Sequence, residues 1–275
     1  MRPSPSGRPS PAKLARALEW LTEHAHENLG TEMAVRAVID GADQWHVDVS
    51  DGSGGATGVS VWVPGGQWFL EANAEPATLA LAEVVAGALR PPTKVTTSGK
   101  VKDWLRPWLV GDKAPWAITR EHDLFAMACT EPVVAGDGRW ATPSDRRALQ
   151  EYQTAYNKER GTSTAPDWAA LLTRPSIAVL EVEGRIVAVV KRTGITGRYA
   201  TIGGTWTHPN LRGQGLATSL TAFITAALLR ELPAVHLIVD DDNVAAIAVY
   251  RSVGFLEVGR CYMAYLGPET RRSPE

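Results

Sequence analysis

Residues 208–220 read HPNLRGQGLATSL, with two glycines and an arginine directly before an apolar run of helical spacing. Glycine at the mouth of a helix costs backbone entropy, so its presence there implies a close approach to bare main chain. The amides of a helix's first turn have no partner within the helix, and aligned peptide dipoles place about half a positive elementary charge at that end. Arg212 adds a side-chain cation. Such a cradle suits an anion. A pyrophosphate fits it, whereas a neutral ligand would gain little. Taken alone, the loop is equally compatible with a tight strand-to-helix turn that binds nothing. It is neither GxxxxGK[ST] nor the three-glycine dinucleotide fingerprint with its acidic residue about 20 positions on.

A second block, LIVDDDNVAAIAVYRSVGF over residues 237–255, places Asn243 as a helix cap and Gly254 as a terminating residue. Asn243 and Tyr250 are seven positions apart, so they share one helical face, about 10 Å apart along the axis. A long, thin ligand could touch both. Without one, Asn243 is only a cap and Tyr250 only a core residue.

Together the two blocks resemble the GNAT acetyltransferase superfamily. Its signature is a Q/R-x-x-G-x-G/A loop after the fourth strand, then N-x-x-A-x-x-x-Y-x-x-x-G-F. This chain carries Arg212, Gly213, Gln214, Gly215, Leu216 and Ala217, then Asn243, Ala246, Tyr250, Gly254 and Phe255, in that order. The resemblance covers roughly residues 138–266. It implies that the amides around Arg212–Ala217 hold the pyrophosphate of acetyl-CoA. It also implies that Thr205, Trp206 and Thr207 pair with the pantetheine arm and polarise the acetyl carbonyl. Asn243 would hydrogen-bond the pantetheine, and Tyr250 would be the catalytic acid that protonates the departing thiolate. A phenol of pKa near 10 is a matched donor for an alkyl thiolate of pKa about 8.5.

The implied reaction is acetyl transfer to a primary amine of a small molecule, amino-acid derivative or peptide; protein lysine is a further acceptor class. The alternative is a catalytically silent acyl-CoA-binding sensor or scaffold. Many relatives carry a Glu on the fourth strand as base, but TIGGTWTHP has none. His208 reads as a surface residue beside the loop. Asp240, Asp241 and Asp242 read as a solvated run, with a proton relay as the other possibility. The base is unassigned by sequence.

The elements that must position these residues are legible from periodicity and turn chemistry. A helix from Ser144 or Asp145 to Glu159 and a short helix at 167–172 precede a hairpin at 176–192 with a Glu-Gly turn. Then come a strand at 199–207, the loop, a helix over 215–230, a strand at 234–240, a helix over 243–253 and a last strand at 256–266. The strand–loop–helix–strand stretch forms a right-handed βαβ crossover.

The first half offers a helix at Lys13–Leu29, strands at 44–51, 58–63 and 67–72, a helix at 76–89, a strand at 94–97, a helix at 101–109 and a strand at 123–131. That order echoes the second half. The fold expected is therefore α+β: a GNAT-like mixed sheet flanked by helices over 136–267, and a smaller α+β domain over 13–135 that reads either as a degenerate GNAT-like unit or as an unrelated small α+β domain. Where the glycine loop would stand in it, the sequence is NAEPATLA, with neither arginine nor glycine. Tryptophans 45, 62, 68, 104, 108 and 116 either line an acceptor cleft or fill the core. Residues 1–12 read as a Pro/Ser-rich lead-in and 268–275 as a tail.

Composition sets the outer limits. Hydrophobic residues make up 44% and charged ones 21%, as in a globular protein. A net charge of −2, with the second half the more basic, argues against a nucleic-acid partner. Two distant cysteines, Cys129 and Cys261, lack metal spacing and read as buried thiols of a reducing cytoplasm. No metal site, membrane span or signal peptide is expected.

Overall fold

The computed structural model describes residues 9–23, 28–87, 91–111 and 116–268. Most of the expected lead-in and tail lies outside the described residues. The chain divides into two compact units, one of Met1–Ala126 with Val258–Glu275 and one of Met127–Glu257.

The first unit runs α1 (Pro11–Glu23), α2 (Leu29–Ile39), β1 (His46–Gly52), β2 (Gly55–Val63), β3 (Gln67–Ala72), α3 (Glu75–Ala86), β4 (Lys94–Ser98), α4 (Gly99–Leu109) and β5 (Trp116–Cys129), whose last residues enter the second unit. The single helix expected over Lys13–Leu29 is instead α1, ending at Glu23, with α2 starting at Leu29. Periodicity misses α2 because Glu32 interrupts its buried face. Arg36, one turn on, offsets that charge with a 2.8 Å ion pair. Leu14, Leu21, Val35 and Val38 pack with Val59 and Val61, while Leu81, Leu105 and Trp108 pack with Trp68 and Leu70 in a separate cluster. Helices therefore flank the sheet, and Trp68, Trp108 and Trp116 are core residues.

The second unit holds β6 (Arg139–Trp140), α5 (Arg146–Arg160), α6 (Trp168–Leu171), β7 (Ile177–Val182), β8 (Arg185–Ile195), β9 (Tyr199–Thr207), α7 (Leu216–Leu229), β10 (Ala234–Asp240) and α8 (Val244–Val253). Its strands lie in the order β10-β9-β8-β7-β6. β7 and β8 join through Glu183 and Gly184, both at positive φ (50° and 73°), the turn that matches strand twist. β9 and β10 are parallel and joined by α7, the crossover read from sequence. Leu220, Ile224 and Leu228 form the buried side of α7. The turn-rich segment after β5 runs against α7 so closely that a Cβ on Gly136 would stand 2.1 Å from the Ser219 carbonyl oxygen.

With the two-residue strand β6 set aside, both halves run α-α-β-β-β-α-β-α-β in sequence, the final strand β11 (Leu256–Pro268) being counted with the second. Counted without β6, the first two strand pairings in each half are antiparallel and the third, β3–β4 or β9–β10, is parallel. From Val258 onward β11 belongs to the first unit, where it lies between β4 and β5 and pairs antiparallel with β4. The fold class is α+β, with mixed sheets flanked by helices. Among the described residues no helix is long and apolar enough to cross a membrane.

Candidate active site

Two strands that start as parallel partners open the site. The paired register of β9 and β10 covers Tyr199–Ala234, Ala200–Val235 and Thr201–His236, while β9 continues to Thr207 and β10 to Asp240. β9 also carries an irregularity. Trp206 faces Val189 on β8, but Gly203 already faces Lys191, so β9 holds one extra residue between those pairs. Gly204 sits at φ +62°, the left-handed conformation that such a bulge favours. The Tyr152 hydroxyl of α5 donates a 2.9 Å hydrogen bond to the Gly204 carbonyl and fixes it.

The loop after β9 behaves as its glycines require. Gly213 and Gly215 have φ of +76° and +78°, and a Cβ on either would meet nothing within 4 Å. The glycines answer backbone conformation, and the space before them is open. Gly215 is the N-cap of α7, and its carbonyl accepts the first intrahelical bond, from Ser219 N–H at 2.9 Å. The amides of Leu216, Ala217 and Thr218 precede that bond and have no intrahelical acceptor. Gln214 is exposed beside them. These amides, with open space before them, fit a pyrophosphate.

Arg212 is held from two sides. Its Nη2 pairs with Glu159 Oε2 of α5 at 2.7 Å, and its Nε donates to the Thr207 carbonyl at 3.0 Å. Trp206 Nε1 donates to the same carboxylate oxygen at 3.1 Å. Arg212 beside it holds the Glu159 carboxyl below its ordinary pKa. The Trp206 ring is buried with Leu149, Tyr152 and Val189, and Thr207 is buried too.

Tyr250 and Thr205 meet across the fold. Tyr250 Oη donates to Thr205 Oγ1 at 3.1 Å, and burial pushes the phenol above its ordinary pKa. Asn243 caps α8, its side-chain oxygen accepting from Ala246 N–H at 3.2 Å. Gly254 ends the helix at φ +111° against the Glu131 carbonyl. Of the acidic run, Asp240 pairs with Arg160 of α5 at 2.8 Å, and Asp241 and Asp242 are exposed. His208 is exposed, its ring edge-on to Trp206 at 6.0 Å.

Sequence reasoning missed the α5 contribution. Tyr152, Tyr156, Glu159 and Arg160 recur at i, i+4, i+7 and i+8 on one helical face, a polar and aromatic stripe that could have been flagged. It also missed Lys191 on β8, which no local pattern distinguishes.

Residues 145–255 match the family described as the Acetyltransferase (GNAT) family. These residues form a GNAT acetyltransferase domain. An acetyltransferase of Pectobacterium atrosepticum is 35% identical over 78 residues, which is 28% of this chain. The match spans 55% of that curated relative. A GCN5-related N-acetyltransferase from Sphaerobacter thermophilus has a similar structure, with TM-score 0.64 and 18% identity over 95% of this chain and 94% of that one. A GNAT-family acetyltransferase from Colwellia psychrerythraea gives TM-score 0.60 and 13% identity over 94% and 98%. The structural likenesses speak to fold. The GNAT domain, by its family, supports acyl transfer as the reaction class.

Proposed function

We propose that the protein is an acetyl-CoA-dependent N-acetyltransferase acting on a primary amine of a small molecule, amino-acid derivative or peptide. The observation that carries this reading is the Tyr250–Thr205 hydrogen bond. It sets a proton donor against the irregular segment of β9, where that strand has left β10. Bound acetyl-CoA would supply an acyl group activated as a thioester. The amides at Gly215–Thr218 would hold its pyrophosphate, with the helix dipole favouring the negative charge. The backbone of Thr205–Thr207 and the side chain of Asn243 would line its pantetheine arm.

The site's own residues divide the work. Tyr250, kept protonated by burial, donates a hydrogen bond that strengthens as negative charge develops on the leaving sulfur. Tyr152 fixes the carbonyl of Gly204, and Glu159 with Arg212 and Trp206 ties the end of β9 to α5. This prearranged geometry requires little reorganisation during reaction.

A thiol-release assay with acetyl-CoA against a panel of amines, with coenzyme binding measured calorimetrically in parallel, tests the reading. Thiol release that depends on an added amine supports it. Tight binding without release for any amine would favour a sensor instead.

A further inference from the structure

We propose that Lys191 is the group that takes the proton lost by the acceptor nitrogen as that nitrogen is acylated. The proposal rests on the N-acetyltransferase reading above and supplies the base that no residue of β9 provides.

The geometry begins at Gly204. A Cβ there would stand 2.6 Å from Lys191 Cε, 3.4 Å from its Nζ and 3.3 Å from Tyr152 Oη. The bare backbone at 204 is what lets the lysine amine lie over the bulge. The next residue, Thr205, accepts the hydrogen bond of Tyr250. Proton donor and amine therefore address adjacent residues of one strand. Lys191 Nζ is held by the Gln153 side-chain oxygen at 3.0 Å, and it sits 5.1 Å and 5.5 Å from the ring centroids of Tyr152 and Tyr156. Gln153 accepts an N–H from either protonation state, which leaves the lone pair of the neutral amine free to point elsewhere.

The surroundings set its proton affinity. From α5 the titratable groups facing it are the phenols of Tyr152 and Tyr156. Across from it, β9 presents Gly203 and Gly204 and β7 presents Ile177, none of them charged. Arg192 follows it on its own strand. No carboxylate pairs with Lys191 among the described residues. Burial lowers its pKa to about 8. Glu159 on α5 makes a poorer base, since its pairing with Arg212 lowers its pKa.

The step balances as follows. The acceptor nitrogen bonds to the acyl carbon, the carbon–sulfur bond breaks, and the amine proton passes to Lys191 Nζ. The thiolate takes its proton from Tyr250, and solvent carries the proton from Lys191 back to the phenolate.

The test compares wild type, Lys191→Arg and Lys191→Met by kcat/KM against pH, with acetyl-CoA affinity measured on each. Arginine keeps the charge but cannot act as a base near neutrality. Both variants should bind acetyl-CoA as wild type does and lose about 10²-fold in kcat/KM at neutral pH. The inflection near 8 should vanish in both. The acceptor's own titration is common to all three proteins, so the difference isolates Lys191. An active wild type with either variant at full rate, or with the inflection retained in Lys191→Met, would overturn this assignment alone. So would loss of acetyl-CoA affinity at unchanged kcat. A wild type that binds acetyl-CoA but acylates no amine would overturn the parent reading and this one with it.

Discussion

Arg212 and Glu159 stand 53 residues apart in the chain and close a 2.7 Å ion pair, with Trp206 Nε1 donating to the same carboxylate oxygen. The pair commits the loop's arginine to holding the end of β9 against α5. Glu159→Gln should therefore weaken acetyl-CoA binding about two- to fivefold, the scale of a half-exposed pair. Were the guanidinium instead a direct phosphate ligand, the same substitution would release it and tighten binding. Titration calorimetry decides by the sign. Because Arg212 lowers the carboxyl's pKa, the pair contributes above the ordinary carboxylate range and is lost as pH falls below it.

Tyr250→Phe removes one hydroxyl and keeps the ring. Turnover should fall about 10²–10⁴-fold, in kcat more than in acetyl-CoA KM, because the bond matters most as charge develops. Burial raises the phenol's pKa, so wild-type activity should not lose this acid until pH exceeds the ordinary tyrosine value of about 10. Wild-type turnover in the variant would mark Tyr250 as packing only.

Gly215→Asp should lower acetyl-CoA affinity at least tenfold, about 1.4 kcal/mol. The substitution strains a residue at φ +78° and places a negative charge where the pyrophosphate is proposed to lie. Gly215→Ala adds only the strain, so a smaller loss is expected of it. Equal affinity for wild type and the aspartate variant, both folded, would remove the loop from the coenzyme site.

The helix that carries Tyr152 and Glu159 is anchored at its start by Asp145, which accepts bidentate hydrogen bonds from Arg139 at 2.7 and 2.8 Å and a third from Thr142 N–H. Its carboxyl is pulled down to about 2, first by the Arg139 hydrogen bonds. A depressed folded-state value contributes stability that is complete above the unfolded value of about 3.9 and is lost as pH falls toward about 2. Asp145→Asn should cost about 1–2 kcal/mol at neutral pH and flatten the acid limb of a Tm-against-pH curve.

What the sequence determined by itself is whatever a few adjacent residues can enforce. Glycines 213 and 215 permit left-handed backbone, Asn243 caps a helix, Glu183 and Gly184 make a two-residue turn, and Gly254 stops α8; each is visible in its own short window. Tertiary structure alone decided which side chains meet across the fold. Lys191 reaches Gln153 over 38 positions, Arg212 reaches Glu159 over 53, and Tyr250 reaches Thr205 over 45. Strand register and the seating of α5 set those meetings, and neither leaves a local periodicity. The bulge at Gly204 shows the divide within one residue. Its glycine is plain in TIGGTWT, but the lysine and the phenol that crowd a Cβ there arrive from β8 and α5. Packing also assigns most of β11 to the first unit, because strand pairing depends on complementary edges rather than on order along the chain.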